Sequence, residues 1–423
     1  MFIDLVCGGI KVNTFGAMIA FLLAIIFILR NVPVGYGMMC GAFIGALLGG
    51  ASIDEAVRFM IDGAKEMIPS ILRMLAAGVL AGVFMQSGAA VVLAEKLVQA
   101  CGEKYALFTL CCTAMMLTAC GVFVDVAIMT IAPVALAIAH RLELSRFAIL
   151  LALIGGGKAG NIISPNPNTI AAAEAFHVPL SSLMIAGIAP AVVALFVTYH
   201  LAKRWSRDVV HSVQVETVKK ETLSWQKAIV APLVAISLLL LRPLFSIAID
   251  PLIALPAGAL VGVVVMNKTN ELNMFLRVGM EKMSDVVLML IGTGTLAGVI
   301  ANSSLHETFM DTFQSLGLSP YVIAPLAGAL LSGMTASTTA GAAVASHVFG
   351  KALMEAGVSP LAGAAMVHAG ATVLDHLPHG SFFHATAASV HMSPKERLQL
   401  LPSETLIGLT IAATSTIVFT LLL

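Results

Sequence analysis

Four short polar clusters interrupt otherwise apolar sequence, and they hold the residues best suited to chemistry. The first is a single carboxylate, Asp125 in VFVDVAIM. Charge in apolar surroundings is costly, so an intramembrane carboxylate marks an ion or proton pathway, unless it only partners a lysine or reaches water at a turn. The second is "NIISPNPNT" (161–169), which offers Asn161, Ser164, Asn166, Asn168 and Thr169 as uncharged donors and acceptors for hydroxyls and carboxylates. Asparagine and serine also cap helices, which is the competing use. Just upstream, Lys158 in GGGKAGN is the one lysine inside a predicted span, suited to pair with a substrate carboxylate or with Asp125. The third cluster, "LSGMTASTTAG", supplies Ser332, Thr335, Ser337, Thr338 and Thr339, a composition that also suits close helix packing. The fourth, "DHLPHGSFFH", supplies Asp375, His376, His379, Ser381 and His384. An aspartate followed by HxxH invites a zinc reading, but no second ligand cluster accompanies it. Histidine titrates near neutral pH, so proton coupling through Asp125, Asp375 and His376 is the expected role. Neither a metal nor an organic cofactor is expected.

The elements that must position these clusters follow from composition. Of 423 residues, 59% are hydrophobic and 11% charged, against roughly 25% charged in a soluble domain. Runs such as FGAMIAFLLAIIFIL (15–29) and MIAGIAPAVVALFVTYHLA (184–202) approach the roughly 20 residues that cross a bilayer. The chain reads as an all-α polytopic membrane protein of the inner (plasma) membrane. No cleavable signal is evident at its start. The six cysteines lie in or beside apolar segments and read as small core residues. Two prolines within residues 161–169 sit where one long span should continue, and each costs about 3 kcal/mol in a helix interior. The span is therefore broken on purpose. Irregular backbone at membrane depth survives only where it is buried in protein or lines a cavity.

The chain is also written twice. "AAGVLAGVFMQSG" (76–88) reads against "GTGTLAGVIANSS" (292–304), with LAGV identical, and Gly63 matches Gly279 at the same offset. Gly121 pairs with Gly333, and Pro167 with Pro378, in the same order. The expected organisation is a first repeat over 1–202, a cytoplasmic linker over 203–227 and a second repeat over 228–423. Within the first repeat, scaffold helices occupy 14–103 and a transport hairpin with a broken helix occupies 106–202. In the second, the same parts fall at 228–317 and 318–423. Spans are expected at 14–30, 33–50 and 67–88, a short helix near 90–103, and a hairpin over 106–140 with its tip near 120–125. The broken span covers 146–178 and the last 183–202. Five crossings plus a re-entrant hairpin is an odd number, so the second repeat must be inverted. Sixteen of the 23 Lys and Arg residues fall on the linker side, which places that side in the cytoplasm and both termini outside.

Two segments carry a family resemblance. "GVFVDVAIMTIAPV…GGGKAGNIISPNPNTIAAA" and "GVSPLAGAAMVHAGATVLDHLPHGSFF" resemble the gluconate permease (GntP) family of the ion transporter superfamily. The resemblance covers nearly the whole chain and implies uptake of sugar acids, other small hydroxy acids or D-serine, generally with protons. The family's His-Pro-Gly-Pro core at the first break falls on Asn166, Pro167, Asn168 and Thr169, so histidine is absent there. Its hairpin-tip glutamate falls on Asp125, and its second-break histidine on His376.

The expected function is proton-coupled import of a small organic anion by an elevator-type homodimer, with the lipid bilayer and the substrate as partners and no nucleic acid. Sodium-coupled uptake of a carboxylate is the alternative within the class. An intramembrane metal enzyme and a channel are alternatives outside it. No GxSxG, HExxH or P-loop pattern supports hydrolysis.

Overall fold

In lipid, backbone groups find partners only within helices or closed barrels, and this chain forms helices. The computed structural model describes residues 12–30, 32–101, 105–206, 223–303, 305 and 319–421. The N-terminal stretch 2–10, the linker portion 207–222 and His306 lie outside the described residues. The first repeat comprises α1 (Thr14–Leu29), α2 (Val34–Leu48), α3 (Ile53–Glu66), α4 (Ile68–Gln86) and α5 (Ala89–Cys101). The hairpin α6 (Ala106–Ala119) and α7 (Val124–Leu142) follows, then the broken span α8 (Arg146–Asn161) and α9 (Pro167–Ala175). The repeat ends with α10 (Leu180–Ala186) and α11 (Ile188–Trp205).

The second repeat comprises α12 (Trp225–Ala228), α13 (Val230–Phe245), α14 (Pro251–Val265) and α15 (Leu272–Ala301). Its hairpin is α16 (Pro320–Thr335) and α17 (Thr338–Glu355), and its broken span is α18 (Pro360–Gly370) and α19 (Ser381–Ser389). The short α20 (Pro394–Leu398) and the long α21 (Leu401–Leu421) close the chain. Six helical stretches among the described residues are long and apolar enough to cross a membrane.

One helix, α3, falls outside the expected spans. Ser52 and Glu55 cap it reciprocally: the Ser52 hydroxyl accepts from the Glu55 amide at 3.3 Å, and the Glu55 carboxylate accepts from the Ser52 amide at 3.1 Å. Only Ala56, Phe59 and Gly63 of this helix are buried, so it is amphipathic and its sequence does not read as a span. Pro69 at the start of α4 separates the two helices. The second repeat has no proline at the matching place, and α15 runs unbroken for 30 residues.

Packing at this point makes the inversion visible. A Cβ on Gly63 would collide with backbone at Gly294 and Gly298, and a Cβ on Gly279 would collide with backbone at Gly78. At the offset of 216, Gly78 and Gly294 are counterparts, as are Gly63 and Gly279. Each contact is therefore the other with the halves exchanged. Early residues of α3–α4 meet late residues of α15, and late residues meet early ones. Equivalent helices run antiparallel, so the two repeats are inverted relative to each other.

Helix packing is concentrated in two clusters, α1–α4 with α13–α15, and α6–α11 with α16–α21. The clusters touch through α4 with α9, α15 with α17, α1 with α16 and α10 with α13.

Candidate functional site

The first break is closed by its own asparagines. Asn166 caps α9: its Oδ1 accepts from the backbone amides of Asn168 (2.9 Å) and Thr169 (3.1 Å). Its Nδ2 donates to the backbone carbonyl and the side-chain oxygen of Asn161, both at 2.6 Å. The Thr169 hydroxyl also donates to Asn166 Oδ1, at 3.2 Å. Capping, the plainer use of these residues, is thus what Asn166 does. Asn168 Oδ1 accepts from the Thr339 hydroxyl at 2.5 Å, which ties this break to the tip of the second hairpin. Ser164 is buried, and its hydroxyl has no hydrogen-bond partner among the described residues.

The second break is held by the first repeat. The Lys158 ammonium, on α8, donates to Asp375 Oδ1 at 2.5 Å and to the Thr372 carbonyl at 2.7 Å. It also lies 3.1 Å from His376 Nδ1. Asp375 Oδ2 accepts from the Thr338 hydroxyl at 2.6 Å. His376 Nε2 lies 3.1 Å from the Thr405 hydroxyl on α21. Lys158, Asp375 and His376 are all buried. The pairing of Lys158 with Asp125 considered from sequence is corrected here: the lysine reaches across the pseudo-twofold to Asp375, and Asp125 stands apart at the other hairpin tip. The HxxH pair diverges too, since His376 faces Lys158 and Thr405 whereas His379 Nε2 donates to the Met334 carbonyl at 3.2 Å; the nearby His384 Nε2 donates to the Pro378 carbonyl at 2.8 Å.

A cavity of about 610 Å³ lies between the two clusters. From one side it is lined by the end of α1, the start of α2 and the middle of α15. From the other it is lined by the first hairpin tip (Phe123, Asp125), the second hairpin tip (Thr335, Ser337, Thr339) and the second break (His379, Ser381). Four helix N-terminal turns open on it, those of α2, α7, α17 and α19. Three of these, after Pro33, Phe123 and Gly380, carry no side-chain cap. Uncapped N-termini present free amide groups and partial positive charge, the ordinary setting for an anion. At the second tip Ala336 takes a left-handed conformation (φ 46°), which turns the chain so that Ser337 caps α17.

The structure therefore divides the sequence-predicted residues in two. Asp125, Thr335, Ser337, His379 and Ser381 line the cavity, with Thr339 beside them. Lys158, Asn161, Ser164, Asn166, Asn168, Thr169, Ser332, Thr338, Asp375 and His376 are not in its lining and form the polar support of the two breaks and the second tip. Sequence reasoning missed Tyr36, Lys282 and Asp285, which line the cavity from the opposite wall. Lys282 and Asp285 stand on one face, three residues apart, but charges near the start of a span are ordinarily solvated, so the pattern alone did not mark a site.

Comparison with known proteins agrees with this architecture. The structure superposes on the crystal structure of the Alcanivorax borkumensis YdaH transporter, reported as having an unusual topology, with a TM-score of 0.68 and 17% identity over 95% of this chain and 98% of that one. An uncharacterized transporter of Haemophilus influenzae is 53% identical over 411 residues, covering 96% of this chain and 98% of the relative. An uncharacterized permease of the same organism is 28% identical over 183 residues, covering 43% of this chain and 37% of its own. The GntP family permease model matches residues 12–422, and the chain belongs to that family.

Proposed function

We propose that the protein is a secondary transporter that imports a small organic anion with protons. The observation that carries this reading is the meeting of three uncapped helix N-termini and the Asp125 carboxylate on one cavity between two helix clusters. The N-terminal turns hold the substrate carboxylate. The hydroxyls of Thr335, Ser337, Thr339 and Ser381, with His379, bond its hydroxyl groups. Asp125 carries the coupling proton, because a carboxylate that faces both substrate and water is the group whose charge can be exchanged for a proton in each cycle.

The α1–α4/α13–α15 cluster is the scaffold, through which two copies associate. The α6–α11/α16–α21 cluster is the unit that moves. Both hairpins and both breaks belong to the moving unit, so it keeps its polar contacts intact as it slides. With the linker side cytoplasmic, the cavity faces the cytoplasm: it is bordered by the C-terminal end of α1 and by Lys282, both on the lysine- and arginine-rich side.

The test is uptake into proteoliposomes, with a panel of sugar acids and short hydroxycarboxylates and imposed pH or sodium gradients. Accumulation of at least one such anion, driven by an inward proton gradient without sodium, is the expected result. Accumulation that needs sodium and ignores the pH gradient would replace the proton in this reading. Movement without saturation or accumulation would make the protein a channel.

A further inference from the structure

We infer that Lys158 is a tethered cation: its ammonium permanently fills a cation site built by the second break, and so makes transport independent of sodium at that site. The inference deepens the proposed function and rests on it for the transport consequence alone.

An ammonium has three donors, and this one meets three acceptors: the Thr372 carbonyl at 2.7 Å, Asp375 Oδ1 at 2.5 Å and His376 Nδ1 at 3.1 Å. A backbone carbonyl freed by a broken helix, a buried carboxylate and a ring nitrogen converging on one point make a cation site in any chain. Here the cation is covalently attached to the other repeat. His376 Nδ1 also lies 3.2 Å from Asp375 Oδ1, and the ring serves the ammonium as an acceptor in the tautomer with its proton on Nε2, which then donates to Thr405 Oγ1 at 3.1 Å. The remaining carboxylate oxygen of Asp375 takes the Thr338 hydroxyl. The ammonium and both carboxylate oxygens of the group are thus already engaged within the protein, and the group is absent from the cavity lining.

The other break sharpens the point. At the offset of 211 that pairs Pro167 with Pro378, the counterpart of Asp375 is Ser164 and that of Lys158 is Ala369. The first break therefore holds no carboxylate and receives no lysine, and its serine hydroxyl is simply left without a partner. Charge and countercharge occur together or not at all. A carboxylate at this depth must be neutralised before its unit crosses the membrane. A diffusible ion would have to bind and leave in every cycle, whereas Lys158 stays.

The test compares purified wild type, Lys158→Ala and the double variant Lys158→Ala/Asp375→Asn by melting temperature, in choline, sodium and methylammonium chloride at equal ionic strength. Wild type is expected to melt alike in all three. Lys158→Ala should melt several degrees lower in choline and recover in methylammonium, or in sodium, as the free cation enters the vacated site. The double variant should lose that response, because the carboxylate that calls for the cation is gone. A folded Lys158→Ala protein that melts alike in all three salts overturns the inference. So does a double variant that keeps the response, since the responding site would lie elsewhere. Failure to isolate Lys158→Ala even in methylammonium also overturns it, and the double variant then reports whether an unpaired carboxylate or lost packing is the cause.

In proteoliposomes, Lys158→Ala should acquire a dependence on sodium or methylammonium that wild type lacks. Wild type that accumulates no anion under any gradient would refute the proposed function, while the melting comparison would still judge Lys158 by itself.

Discussion

Asp125 stands at the first hairpin tip and Asp375 at the second break, and the two carboxylates are held differently. Asp375 is buried and tied on both oxygens by Lys158 and Thr338, so its charge is fixed. Asp125 is half-buried and lines the cavity, where whatever occupies that space can reach it. Asp125→Asn should therefore abolish accumulation driven by a pH gradient while leaving substrate exchange across the membrane measurable. Unchanged accumulation in this variant would remove Asp125 from the coupling step. A second buried pair provides a stability test away from the cavity. Arg397 and Glu404 are each fully buried and bonded to one another, and the Arg397 guanidinium also covers the Phe383 ring at 5.1 Å. Replacing one member of a buried pair leaves an uncompensated charge, which costs about 3–5 kcal/mol. Arg397→Met should show a loss of that order in thermal unfolding, and adding Glu404→Leu should recover much of it.

Among the elements, the broken helices and hairpins were legible because proline and glycine leave strong marks in apolar sequence. Pro167 and Pro378 fall at or beside the starts of the second half-helices; Asn166 caps the first of these, and the second starts uncapped after Gly380. The repeat was legible through LAGV, and the structure gives its reason: Gly82 and Gly298 of that motif lie where α3–α4 and α15 approach backbone to backbone. Gly279→Val should consequently cost stability by overpacking, roughly 1–3 kcal/mol, and lower the yield of folded protein measured by size-exclusion chromatography in detergent. A fully stable Gly279→Val protein would mean that this crossing opens freely. Three things were not legible. α3 escaped because its amphipathic pattern belongs to an interface rather than to a span. The partner of Lys158 escaped because it lies 217 residues away in the other repeat, and periodicity reports only faces of the same helix. Lys282 and Asp285 escaped because charges near a span end are ordinarily solvated, and only the tertiary packing of α15 against the hairpin tips encloses a cavity beside them.

At the scale of the molecule, an ionic knot that bears on movement joins the two clusters. Arg73 on α4 contacts Glu174 on α9 at 2.5 Å and Asp250, the cap of α14, at 2.6 Å. Arg73 and Asp250 belong to the two repeats of the α1–α4/α13–α15 cluster, whereas Glu174 belongs to the cluster with the hairpins. On the topology proposed above Arg73 lies on the exterior side, opposite the end where Lys282 borders the cavity. On the proposed topology the knot lies on the closed, outer side while the cavity opens to the inside. If the hairpin cluster moves as a body, this contact must break in each cycle, because Glu174 travels and Arg73 does not. A weak, partly exposed pair suits that duty: its side chains are 24% and 27% exposed, and pairs in such settings contribute about 1 kcal/mol or less. Cysteines placed at 73 and 174, in a background without the six native ones, can be joined by a short bifunctional thiol reagent. Joining them should stop uptake, leave substrate binding from the cytoplasmic side intact, and do nothing in either single-cysteine control. Uptake at full rate with the two residues joined would mean that α4 and α9 never part. The hairpins would then have to open and close around a stationary site, and the scaffold would have no distinct role in the cycle.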